Sequence, residues 1–185
     1  MKDQGMTLFE MLVVIILTGI LLAFAVPRFK DLFARIQAWR ITSEIAQMTN
    51  QARLAAIERG YPVGLCGSSS AVDCNGRWVD GLLLFVDSNR SRDKDVGEEI
   101  LHFTPLNASP SVVAWQGFGG NGALLVEAMG TPYAGNGSFT YCSADAEPAY
   151  RRQVIVNRGG RVRLSRDTNG DGVHESTTGG AISCP

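Results

Sequence analysis

Residues 11–27 (MLVVIILTGILLAFAVP) carry no charged side chain, and a single carboxylate, Glu10, stands at their edge. A run of this length and apolarity is read as one helix in hydrocarbon rather than as a strand or a loop. The preceding residues, MKDQG, are polar, charged or glycine apart from Met1. A lone carboxylate entering a bilayer is costly unless it finds a partner, so Glu10 reads as a functional group by default.

The segment Gly5-Met6-Thr7-Leu8-Phe9-Glu10, followed by the apolar run closing at Pro27, resembles the leader and first helix of type IV pilins and pseudopilins. The resemblance implies that a prepilin peptidase cuts after Gly5 and that Met6 becomes the N-methylated amino terminus. Glu10 then takes the role of the carboxylate that pairs during assembly. The family usually has phenylalanine where Met6 stands. Physics gives the motif a purpose of its own. When subunits stack, the Glu10 carboxylate of one can meet the terminal ammonium of the next, and in low dielectric that pair sets register as well as affinity. The rivals are a secretory signal and a plain anchor. A secretory signal requires a basic n-region and a small-residue cleavage site; here Lys2 is offset by Asp3, and no Ala-x-Ala precedes a sensible mature start. A plain anchor has no use for Glu10.

Beyond the run, Phe29, Leu32, Phe33, Ile36, Ile41, Ile45, Met48, Ala52 and Ala55 recur mostly at spacings of three and four. They predict a single amphipathic stripe, laid on the rest of the chain, and one helix over residues 6–58, about 80 Å long. Pro27 is expected to bend or loosen that helix. Gly60 and Pro62 end it. After Tyr61 the period changes to short apolar segments punctuated by glycine, and strands are expected at 61–65, 82–86, 100–103, 112–115, 123–126, 138–142, 153–157 and 161–165.

The expected fold is α+β and pilin-like, a long N-terminal helix with its first half in the membrane, packed on a C-terminal antiparallel β domain. Its divisions are a leader at 1–5, a transmembrane and assembly helix at 6–28, an amphipathic half at 29–59 and a globular β domain at 60–185. Within the pilin-like proteins the chain is most similar to the GspH/FimT group. The similarity rests on residues 82–103 (LLLFVDSNRSRDKDVGEEILHF) and on a tail with Gly160-Arg161-Val162-Arg163 after QVIVN.

Cys66, Cys74, Cys142 and Cys184 all follow the apolar run, which places them outside the cytoplasm if the leader stays inside. Two disulfides are the expected use in an oxidising compartment. Three pairings are open; Cys66 with Cys74 and Cys142 with Cys184 is favoured. Zinc is disfavoured because there is no Cys-x-x-Cys, and His102 and His174 have no close cysteine or histidine companion.

The formal charge of −1 marks no nucleic-acid protein overall, yet Arg151, Arg152, Arg158, Arg161, Arg163 and Arg166 fall in one stretch without an acidic residue. In FimT-like minor pilins a Gly-Arg-x-Arg motif is associated with DNA binding in natural transformation, and Gly160, Arg161 and Arg163 match it. On a strand Arg161 and Arg163 share a face, and guanidinium forks suit phosphate oxygens; Arg158 and Arg166 extend the candidate patch. The competing account is a solvated strand edge on which cations discourage edge-to-edge pairing. No aromatic residue interleaves with Arg158, Arg161, Arg163 and Arg166, which favours duplex backbone over stacked bases.

Asp167-Thr168-Asn169-Gly170-Asp171-Gly172 echoes the first half of a calcium loop, but Thr178 stands where a bidentate glutamate belongs; Asp87-Ser88-Asn89 is a weaker echo. A polar turn is the better account of both, and no metal or other cofactor is expected. No nucleophile–base pattern or phosphate loop occurs, so the chain reads as non-enzymatic. The resemblance implies a minor pilin or pseudopilin of a type IV pilus or a type II secretion pseudopilus. It would be anchored by a single pass in a bacterial inner membrane, with its C-terminal domain in the periplasm. Expected partners are other pilin-like subunits, the prepilin peptidase and the inner-membrane assembly platform, with DNA a candidate ligand. The alternative is an H-like pseudopilin acting in protein export without DNA.

Overall fold

The computed structural model describes residues 7–118, 120 and 122–185. Helix α1, Leu8–Arg59, opens the chain and continues through position 27 without a break. It begins at a reciprocal cap of the kind that Thr-x-x-Glu encodes. The Glu10 N–H donates to Thr7 Oγ1 at 3.3 Å, and the Thr7 N–H donates to Glu10 Oε2 at 3.0 Å. It ends at Gly60, whose φ of +69° and N–H bond to the Ala56 carbonyl at 3.0 Å form a left-handed C-terminal cap.

The chain divides into two compact units, residues 1–36 and 37–185. In the first, the described large apolar side chains are exposed along its length, and residues 8–26 are long and apolar enough to cross a bilayer. The Thr18 hydroxyl donates to the Val14 carbonyl at 2.5 Å, so this polar group in the span is satisfied within the helix.

The second unit holds two four-stranded antiparallel sheets. The first has the order β3-β2-β1-β5, built from β1 (Val63–Gly67), β2 (Gly81–Val86), β3 (Ile100–Pro105) and β5 (Leu124–Val126). The second has the order β4-β6-β7-β8, built from β4 (Val112–Gly117), β6 (Gly137–Cys142), β7 (Arg152–Val156) and β8 (Val162–Leu164). A strand lies within or beside every stretch where the apolar segments predict one. Ile41, Ile45, Met48 and Ala52 of α1 share one core with Leu65, Leu82 and Leu84 of the first sheet and Trp115, Phe139 and Tyr141 of the second.

The other face of the first sheet is covered too: Cys66, Leu83, Phe85 and Ala123 form a separate buried cluster. This explains why β1 and most of β2 read as continuous apolar runs rather than alternating ones. In the second sheet Phe139 packs against Trp78 edge-on, with centroids 5.1 Å apart, and against Trp115 at 4.5 Å. Gly137 leaves room for that indole, because a Cβ there would lie 2.3 Å from the Trp115 ring.

The single stripe expected from Phe29 to Ala55 is corrected. Ala38, Ile41, Ile45, Met48, Ala52 and Ala56 are buried, whereas Phe29, Leu32, Phe33 and Ile36 are exposed. Spacing explains the error: at about 100° per residue, Phe29 and Ile45 fall on nearly opposite sides of any helix. The break falls between Ile36 and Ile41, a step of five residues that turns about 140°, whereas the steps of three and four on either side of it each keep to one face.

Candidate functional site

The residues of the expected processing site, Gly5 and Met6, lie outside the described residues. Glu10 is in the first turn of α1, where its carboxylate accepts both the N–H and the hydroxyl of Thr7, the latter at 3.1 Å. Thr7 is the capping partner that the sequence analysis does not single out, although Thr-x-x-Glu before an apolar run is a recognisable signal of a helix start. The cap holds an acidic group at the positive end of the helix dipole, beside exposed Phe9, Val13 and Val14.

The arginine cluster separates into two sets. Arg151 and Arg152 serve the fold: Arg151 donates to the carbonyls of Ile182 and Ala146 at 3.0 and 2.6 Å, and Arg152 to that of Ala149 at 2.9 Å. Arg158, Arg161, Arg163 and Arg166 are exposed, and no hydrogen bond or ion pair holds their guanidinium groups among the described residues. They lie on or beside β8, the edge strand of the second sheet.

The turn between β7 and β8 sets their positions. Asn157 Oδ1 accepts the N–H groups of Gly159 and Arg161 at 3.0 and 2.9 Å, while the Asn157 N–H donates to the Arg161 carbonyl at 3.0 Å. Gly160 has φ of +75°, and a Cβ there would meet the Gly130 carbonyl oxygen at 2.1 Å. That same oxygen accepts from Arg53 Nε of α1 at 3.2 Å. The glycine of Gly-Arg-x-Arg is therefore required for the close approach of this turn to residue 130. Pairing of Ile155 with Arg163 sends Arg163 to the face opposite Val162 and Leu164, which pack on the core.

The segment that follows β8 is tied to the second sheet at several points. Ser165 Oγ lies 3.1 Å from His174 Nδ1, Ile182 is fully buried, and Cys184 is bonded to Cys142 of β6. The other disulfide joins Cys66 and Cys74, which closes the loop beyond β1. Within the tail, ligand atoms of Asp167, Asp171 and Glu175 come within 4.8 Å of one another, so the third carboxylate of the loop is Glu175 rather than one at position 178. The N–H groups of Gly172 and Gly170 donate to Asp167 at 2.8 and 2.7 Å and hold its carboxyl below the usual range. Glu175 accepts the Thr168 N–H at 2.8 Å. Burial, reinforced by the Arg152 charge, lowers the affinity of His174 for a proton.

A second acidic loop closes on buried Asp87, which accepts the N–H groups of Ser91 and Arg92 at 3.0 and 2.8 Å. Asp95 is held below the usual carboxyl range by Asn89 and Ser91. Arg90 forks onto Glu127 at 2.9 and 3.1 Å. This loop is more organised than its Asp-Ser-Asn opening suggests, because its partners lie beyond that tripeptide: Glu98 accepts the Ser88 N–H from ten positions away, and Glu127 meets Arg90 from 37.

Comparison with known proteins agrees with this architecture. Residues 42–160 match the family of type II transport protein GspH, and residues 1–26 match the prokaryotic N-terminal methylation motif. The chain is 33% identical to pilin-like protein PilA1 of Thermus thermophilus over 167 residues, covering 89% of this chain and 99% of that protein. It is 28% identical to the type IV major fimbrial protein FimA of Dichelobacter nodosus, over 80% of this chain and 92% of that one. Type IV minor pilin FimU of Pseudomonas aeruginosa shares the fold, with a TM-score of 0.56 at 17% identity over 71% of this chain and 90% of that one. The N-terminal methylation motif, the long exposed apolar helix and the GspH match over most of the β domain together make the chain a member of the GspH/FimT family of type IV minor pilins and pseudopilins.

Proposed function

We propose that this chain is a minor subunit whose helix enters the core of a type IV filament after cleavage behind Gly5 and methylation of Met6. Other pilin-like subunits, the prepilin peptidase and the inner-membrane assembly platform are its partners, and its β domain lies on the periplasmic side. The observation that carries the reading is Glu10, held by Thr7 at the head of an apolar helix exposed along its described first unit. In a single chain the carboxylate has neutral donors. In a stack it gains the terminal ammonium of the next subunit, an ion pair worth more in low dielectric than the hydrogen bonds it leaves. The role is structural, with no catalytic step.

Glu10→Ala and Glu10→Gln test this. Both variants are expected to insert and be cleaved normally, and both to be depleted from sheared filaments. Full incorporation of Glu10→Gln would show that charge is not what the site supplies.

A second reading, DNA binding at the β8 edge, is favoured by the four exposed arginines and the turn that presents them. Binding of this kind is sequence-independent and weakens with salt, the log–log slope falling by about 0.9 for each phosphate contact removed. Arg161→Ala with Arg163→Ala should weaken duplex binding and reduce the slope by about 2. Absence of measurable affinity for duplex DNA at low salt would leave the filament role, in a pilus or in an H-like export pseudopilus, standing alone.

A further inference from the structure

We infer that residues 28–36 form an interfacial segment that lies among anionic lipid headgroups and holds the subunit at the membrane surface until it is assembled. The inference rests on the membrane-anchored reading and goes beyond it. The apolar span of residues 8–26 covers about 28 Å at 1.5 Å per residue, close to the ~30 Å of bilayer hydrocarbon, so the residues directly after it begin at headgroup level.

Composition changes there in a particular way. Phe29, Leu32, Phe33 and Ile36 fall within an arc of about 100° on a helix. Each is half or more exposed. Arg28, Lys30, Asp31 and Arg35 occupy the remaining arc, a net surplus of cations even with the Asp31–Arg35 pair at 3.3 Å. The face is thus continuous with the span, and its charge is complementary to lipid phosphate. Aromatic rings and long cationic side chains suit this layer: the rings sit at headgroup depth while arginine and lysine stems lie along apolar surface and carry their charge to phosphate. A protein neighbour would have to supply both an apolar groove and carboxylates; an anionic bilayer supplies both components at the depth where the span ends.

The test uses the full chain in phosphatidylcholine vesicles with or without phosphatidylglycerol, at low protein-to-lipid ratio. Phe33→Trp adds a reporter whose emission is obtained by difference from the parent, which carries Trp39, Trp78 and Trp115 in both cases. Lipid brominated near the glycerol end is expected to quench the added emission about twofold or more, lipid brominated at the chain end less, and the effect to be larger with phosphatidylglycerol. Arg28→Gln with Lys30→Gln should remove the dependence on phosphatidylglycerol, and Phe29→Ser should weaken the quench in either lipid. Added emission that is open to aqueous iodide and untouched by brominated lipid would overturn the inference. So would protection that appears only as the protein-to-lipid ratio rises, since another protomer would then be the cover. Failure of the chain to float with vesicles would overturn the anchoring reading itself, and this inference with it; floating without quenching overturns the inference alone.

Discussion

Removing the two disulfides separately should give unequal losses of stability, in an order set by the loops they close. Cys142 and Cys184 are 42 positions apart, against 8 for Cys66 and Cys74. Loop-closure entropy gives about 4 kcal/mol for the longer loop and about 2.6 kcal/mol for the shorter. Alanine is the right replacement in each case. Cys66 and Cys142 are buried, so a serine would add an unsatisfied hydroxyl to the cost. The longer loop has a second reason to matter, because the segment it ties down buries Ile182 and carries the carbonyl that Arg151 holds. Urea and thermal unfolding of the full chain in detergent, both followed by tryptophan emission, read the result, since Trp78 and Trp115 are core residues. At about 2–4 °C per kcal/mol for a domain of this size, Tm should fall by about 8–16 °C for Cys142→Ala with Cys184→Ala, and by about 5–10 °C for Cys66→Ala with Cys74→Ala. Equal losses, or a larger loss from the short loop, would refute the entropic argument.

Other outcomes follow from the same geometry. Gly160→Ala forces a side chain into a left-handed turn and against the Gly130 carbonyl, and should cost about 1–3 kcal/mol in urea unfolding. Ile45→Ala, on the buried face of α1, should cost about 2–5 kcal/mol in the same assay, whereas Ile36→Ala in the exposed stripe should stay within about 0.5 kcal/mol in detergent. His174 takes up its proton less readily folded than unfolded, burial being the first cause, so its contribution to stability is present above the ordinary imidazole value of about 6.5 and is lost as pH falls from there through the folded value. Tm measured across that range should therefore fall on acidification, and His174→Gln should flatten the dependence; an unchanged slope would place its origin elsewhere.

Much of this architecture is visible in local patterns. A stretch of apolar side chains without charge dictates a helix in any setting where its backbone is denied water. Thr7 and Glu10 start that helix, Gly60 and Pro62 stop it, and the short segments from residue 63 onward find their strands because apolar runs between glycine turns have few other uses. These signals work because each depends on residues within a turn or two of one another.

What the tertiary structure alone decided depends on groups far apart in the chain. Phe29 and Ile45 are equally apolar, and only the packed core distinguishes the residue that the protein leaves uncovered from the one that it buries. Six arginines look alike in sequence until Arg151 and Arg152 are seen holding carbonyls of the fold, with four left exposed around β8. Gly160 owes its necessity to a carbonyl thirty positions earlier. The convergence of Asp167 and Asp171 with Glu175 likewise exists only once the turn is closed. Secondary structure reads short-range periodicity, whereas burial, pairing and charge environment are set by which distant surfaces meet.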